Sequence, residues 1–173
     1  MKNFNKSNFS KAERNHLSLI FFLFGISIMS LAPRTPDLKA NLGVSNGAFG
    51  TIISTGSIGS IIMLLIGGQI VHRIGTKKGL RIGSTIVALS FITLVHTQSP
   101  IVFLFVNIAA GAGISLYHIS STGHTLHRQD EVGRIIIPKL HGAWGFGAMS
   151  TAAIAFAIST HVTVEPPFTP ERL

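Results

Sequence analysis

Cysteine is absent from the 173 residues, and charge is scarce: Asp, Glu, Lys and Arg together make up 12 % of the chain. The missing cysteine excludes a disulfide scaffold, a thiol nucleophile and a thiolate metal site. Soluble domains carry about 25 % charged residues, so this chain has too little polar surface to clothe a water-soluble globule. Acidic residues are the scarcest, six against fourteen Lys and Arg. None falls inside a long apolar run: Asp37, Asp130 and Glu131 lie in connections, and Glu13, Glu165 and Glu171 lie near the termini. What is abundant is apolar. A hydrophobic fraction of 46 % and a mean hydropathy of +0.49 exclude intrinsic disorder, which needs a chain poor in apolar residues. The class that remains is an all-α integral membrane protein.

The formal charge of +8 would suggest nucleic-acid binding in a soluble protein. Here the basic residues sit in short clusters between apolar runs, as insertion into a bilayer requires. The expected partner is therefore the lipid bilayer, with no nucleic acid.

A helix needs about 20 mostly apolar residues to cross a hydrocarbon core about 30 Å thick. Five segments qualify, at about 16–32, 48–71, 80–95, 101–126 and 140–160. The fifth is the least apolar, with Ala and Gly in place of Leu and Ile, a composition usual where membrane helices approach closely. Pro33 and Pro36 are expected to end the first helix, because proline lacks a donor and clashes with the preceding turn. Ser99-Pro100 opens the fourth. The division expected is a cytoplasmic segment 1–15, a helical domain 16–161, and a polar, proline-broken tail 162–173.

Orientation follows from the basic residues. Lys2, Lys6, Lys11 and Arg14 precede the first span. Arg73, Lys77, Lys78 and Arg81 lie between the second and third, and Arg128, Arg134 and Lys139 between the fourth and fifth. These eleven oppose Arg34, Lys39 and Arg172 on the other side. The positive-inside rule then puts the N-terminus in the cytoplasm. A cleaved signal peptide ending at Ser30-Leu31-Ala32 is the alternative for the first span. Four further spans follow, so the chain is a multi-pass membrane protein in either case.

The sharpest local motif is Gly68-Gln69-Ile70-Val71-His72-Arg73-Ile74-Gly75-Thr76-Lys77-Lys78. Gly68 is expected to allow close helix packing and Gly75 a tight turn, with the cations holding the loop at the surface. This spacing resembles the signature of the major facilitator superfamily, Gly-x-Leu-x-Asp-Arg-x-Gly-Arg-Lys, matched at Gly68, Arg73, Gly75 and Lys77. His72 stands where the family has an acidic residue that helps latch the two transporter halves. Arg34-Thr35-Pro36, Leu42-Gly43-Val44-Ser45 with Gly50, and the run Arg134 to Gly145 resemble the bacterial inner-membrane branch related to sugar and fucose permeases. Members of that branch often carry an acidic residue where this chain has His118, and an Asn where it has Thr122. The resemblance implies secondary transport of a small solute across the bacterial cytoplasmic (inner) membrane, no cofactor and no enzymatic activity.

Read on its own, the fourth span places Asn107, Gly111, Ser115, His118, Thr122 and Thr125 within an arc of about 80° at 100° per residue. Phe105, Ile108, Leu116, Ile119 and Leu126 lie opposite, on a face suited to lipid. A polar stripe faces a bundle interior or a water-filled path; the alternative is a packing face whose hydroxyls bond neighbouring helices. His118 favours the path, because an ionisable group within a span is expensive without a task. The expected substrate path comprises Arg34, Asn107, Ser115, His118, Thr122, His141 and Trp144, and the loop signature Gly68, His72, Arg73, Gly75 and Lys77. Eight histidines raise a membrane metal or haem protein as the alternative. His124 and His127 share a face, but no cysteine or buried carboxylate supports them, so no metal site is expected.

Facilitators contain two six-helix halves, each a pair of inverted three-helix repeats, with the substrate between halves. Five spans make an incomplete first half. Two readings of that remain: a partial transporter needing the missing helices, supplied by a second chain, or a truncated or accessory membrane protein without transport of its own.

Overall fold

The computed structural model describes residues 10–161, and they are helical almost throughout. Ser10 opens α1 (Lys11–Met29), its hydroxyl accepting the Glu13 N–H at 3.1 Å. The chain then makes a 3-10 turn at Ala32–Arg34 and resumes as α2 (Thr35–Leu42). The prolines thus interrupt the first span without ending it. Pro36 sits in the first turn of α2, where its missing donor costs nothing. Gly43, at φ 63°, closes α2 in the left-handed region. Ser45 caps α3 (Asn46–Ser54), and α4 (Gly56–Ile74) follows after a one-residue break. Gly75, at φ 84°, makes the turn expected of it into α5 (Thr76–His96). Ser99 and Pro100 start α6 (Pro100–Val132), and α7 (Ile137–His161) ends the described part. The expected tail 162–173, and Lys2 and Lys6 of the N-terminal segment, lie outside the described residues.

Four segments are long and apolar enough to cross a membrane: Lys11–Leu42, Asn46–Ile74, Thr76–His96 and Pro100–Val132. The 25 residues of α7 rise about 37 Å at 1.5 Å each, and Phe146, Met149, Ile154 and Ile158 stand exposed along it. Leu65, Leu64, Leu89, Ile92, Ile101 and Phe105 likewise point outward. Such a surface is unstable in water and natural in hydrocarbon. This is an all-α membrane fold.

Two groups of helices build it. α6 lies between α4 and α5 and runs along both, while α1 runs along α7. Hydrophobic burial cannot hold membrane helices together, since lipid tails are as apolar as Leu; close contact of small residues does. A methyl group on Gly59 would collide with the Ile108 carbonyl, and one on Gly111 with the Gly56 carbonyl. Ser60 Oγ donates to the Gly111 carbonyl across the same seam at 3.1 Å. Gly25 and Gly147 perform the same service between α1 and α7, each against the other helix's backbone. Gly68, by contrast, faces open space, and the neighbouring Gly67 touches α6 at Ile119.

The central position of α6 corrects the expectation of a simple lipid face. Leu116 is 3 % exposed and Ile119 is half-buried against Gly67. Ile108 meets Gly59. Only Phe105 and Leu126 of that set remain largely open. A helix with neighbours on two sides buries apolar residues outside its polar arc as well as within it.

At the end where α1 begins and α6 finishes, Arg128 links the helices. It donates to Glu13 through Nε and Nη2, the latter at 2.8 Å, and through Nη1 to Glu131. His127 Nε2 lies 3.2 Å from Glu131 Oε1. Gln129 Oε1 accepts from the Ile136 and Ile137 N–H groups and so fixes the turn into α7. Nothing in the apolar pattern marked this cluster, although Glu13 is the one acidic residue in a basic segment.

Candidate functional site

Three polar side chains, Ser115, His118 and His141, meet at a largely apolar cleft between α1, α4, α6 and α7. It encloses about 420 Å³ and is lined by Phe21, Phe24 and Ile28 of α1, Leu64 of α4, Ile114, Ser115 and His118 of α6, and His141 and Trp144 of α7. The close approach of α1 to α7 at Gly25 and Gly147 sets the α1–α7 wall of the cleft. Leu17, Phe21 and Leu140 form a buried cluster with Ile20, Ala143 and Trp144 packed against it. Phe21 and Phe24 are three apart and so share a helix face.

The rings are stacked in sequence. Phe24 lies on Tyr117 with centroids 4.3 Å apart and an interplanar angle of 18°. His118 is 6.3 Å from Phe24 on the cleft side. His118 and His141 meet edge to face at 6.2 Å, and His141 lies 5.5 Å from Phe21. Tyr117 locks the arrangement to α1 by donating to the Ile20 carbonyl at 3.1 Å. His141 Nδ1 lies 3.2 Å from the Ile137 carbonyl oxygen. A carbonyl can only accept, so Nδ1 carries hydrogen, and in the neutral ring Nε2 holds the free lone pair.

Four residues of the expected path, Ser115, His118, His141 and Trp144, therefore line one cleft. The other three lie elsewhere. Asn107 turns to the second span, where its Nδ2 donates to the Ile53 carbonyl at 2.7 Å and the Ile52 carbonyl at 3.3 Å. It holds the break between α3 and α4. Thr122 Oγ1 is buried, with no hydrogen-bond partner among the described residues. Arg34 is exposed beside Asp37, 3.9 Å away. Phe21 and Phe24 complete the cleft and carried no sequence signal beyond their three-residue spacing.

The loop signature lies apart from this cleft. His72 and Arg73 occupy the last turn of α4. Lys77 borders a second cleft of about 510 Å³ between α1, α5 and α6, together with His16, Arg81, His124 and Ser120. Among the described residues no group of three or more His, Asp or Glu is placed to hold a metal ion.

The family model for the Major Facilitator Superfamily matches residues 17–168. The chain belongs to the major facilitator superfamily. This facilitator chain is also 21 % identical, over 131 residues, to an uncharacterized MFS-type transporter of Yersinia pestis. That match covers 76 % of the chain and 34 % of the Yersinia protein, so the facilitator chain spans about a third of the relative's length. No solved structure matches it.

Proposed function

We propose that this chain is the first part of a secondary transporter for a small solute, with the cleft at His118 and His141 as its share of the substrate path. The observation that carries the reading is the cleft itself: a mostly apolar, aromatic-lined cleft of a facilitator bundle, formed by four of the five spans and bearing two imidazoles and a hydroxyl. Residues Arg34, Asn107 and Thr122 belong to that path only if the complete assembly rearranges around them. The motifs favour the branch related to sugar and fucose permeases, and with it a place in the inner membrane of a bacterium. No residue of the cleft resembles a hydrolytic or redox centre, and transport without catalysis is the activity proposed.

Helix pairing supports a partial assembly completed by helices outside these 173 residues. Under an inverted three-helix repeat, the α4–α6 and α1–α7 seams are counterparts. The α5–α6 seam then has its counterpart between α1 and a sixth span. A cleft lies between α1 and α5, lined by Leu23, Ser27, Ser84 and Phe91 among others. Vesicles containing only this polypeptide should take up no more of a labelled panel of sugars, amino acids and aromatic acids than empty vesicles. Uptake should appear when the DNA immediately downstream is expressed with it. Saturable uptake by the chain alone would show that it transports as it stands, as an oligomer, and no uptake in the joint assembly would favour an accessory role.

The orientation proposed is N-terminus inside, on the distribution of basic residues. Reporter fusions at Lys78 and Asp130 should read cytoplasm, and at Ser99 periplasm. A periplasmic signal at Lys78 would invert the topology.

A further inference from the structure

The chemistry of the cleft restricts what it holds. Among the described residues that line it there is no Lys, Arg, Asp, Glu, Asn or Gln. Its polar groups are two imidazoles, the Ser115 hydroxyl and the Trp144 indole N–H; the rest of the surface is aromatic or aliphatic. A sugar is poorly served here. Each of its several hydroxyls needs a partner once desolvated, and the cleft offers four side-chain polar groups, none of them an amide or a charged fork. An organic cation is drawn to aromatic faces, but no carboxylate is present to balance it, and both imidazoles add like charge when protonated. An aromatic ring fits: the half-buried Trp144 supplies an aromatic face, bordered by the buried Phe21 and Phe24, and such contacts reward a planar guest beyond its buried area. A single carboxyl group fits as well. The His141 Nε2 lone pair accepts from a protonated carboxyl, and the protonated ring donates to a carboxylate, so the pair shares one proton in either form.

We propose that this cleft binds a planar aromatic solute bearing one carboxyl group, the ring among Phe21, Phe24 and Trp144 and the carboxyl at His118 and His141. The assignment rests on the transport reading above and names the substrate class for the same site.

Trp144 is the only tryptophan in the sequence, so its fluorescence in lipid vesicles reports from this cleft alone. Benzoate should change the Trp144 signal saturably. Cyclohexanecarboxylate, fucose and benzyltrimethylammonium should each bind at least tenfold more weakly. His141→Ala and His118→Ala should each weaken benzoate tenfold or more, while Phe21→Leu should narrow the gap between benzoate and cyclohexanecarboxylate. A linear, unsaturable response is partition into lipid and overturns the proposal. So does fucose or the ammonium probe binding as tightly as benzoate, a comparison that needs no variant to fold. The two readings fail separately. Benzoate binding with no uptake in the joint assembly removes transport alone; uptake of another solute class, with Trp144 silent to benzoate, removes this assignment alone.

Discussion

Leucine in place of Gly111 should force α4 away from α6 and lower the stability of the bundle. The obstacle is backbone: the added side chain meets the Gly56 carbonyl and Ser60, and neither helix can yield without moving as a body. Overpacking a fitted interior costs about 1–3 kcal/mol, and the upper end is expected here. On a chain of this size that lowers the unfolding midpoint by about 6–12 °C. Gly123, on the same helix, is the internal control. It faces open space, so Gly123→Leu should leave the midpoint unchanged or raise it, because glycine is a poor helix former by about 1 kcal/mol relative to alanine. Thermal unfolding in detergent, followed by circular dichroism, separates the two. Equal effects at both positions would mean that helix propensity, and not the α4–α6 seam, governs glycine on α6.

The second large effect is expected at Asn107→Leu. The substitution keeps the size of the side chain and removes the amide that serves the Ile52 and Ile53 carbonyls. Thr55 Oγ1 still donates to Ile52 at 2.7 Å, so Ile53 is the group left without its donor. A backbone carbonyl stranded away from water costs about 1–3 kcal/mol. The chain has one way to recover it, by straightening α3 into α4 and restoring the helical ladder, which would pull Thr55 from its contact with the Leu104 carbonyl. Hydrogen exchange over residues 55–60 should therefore change together with stability. Unaltered exchange there, with unaltered stability, would make the break a property of Thr55 and Gly56 alone.

Much of the architecture could be read from the residues because lipid imposes one solution. Each span must satisfy its backbone internally, so five apolar runs with serine, proline and glycine at their ends announce five helical segments. Ser10, Ser45 and Ser99 cap helices in the structure, and Gly43, Gly75 and Gly133 terminate them with positive φ. The break inside the second span was hidden, since hydropathy is continuous across Thr55 and the amide that stabilises the break comes from a residue 52 positions later. The polar arc of α6 was correct as a periodicity and incomplete as an environment: angle along a helix says which residues share a side, not whether the other side meets lipid or a neighbour. His118, Ser115, His141 and Trp144 stood out because a polar or bulky indole side chain is conspicuous in an apolar run. Phe21 and Phe24 did not, because a phenylalanine facing lipid and one lining a cleft look the same in one dimension. The Arg128 cluster escaped for a related reason. Basic residues at a span's end are explained by topology alone, and only the fold brings Glu13 to one of them.

The pairing of α1 with α7 sets the order in which the bundle can assemble during synthesis. Helix α1 is complete at Met29, yet the helix it lies along begins at Ile137. At about 5–20 residues per second, the ribosome needs roughly 5–20 s to supply the partner. Through that interval the α1 backbone around Gly25 has no helix against it, while α4 and α5 likewise wait for α6 to join them. The first three spans thus reach the membrane with few mutual attachments, and the fourth and fifth arrive as the pieces that close it. A nascent chain halted before residue 137 would hold α1 without the helix of its longest seam.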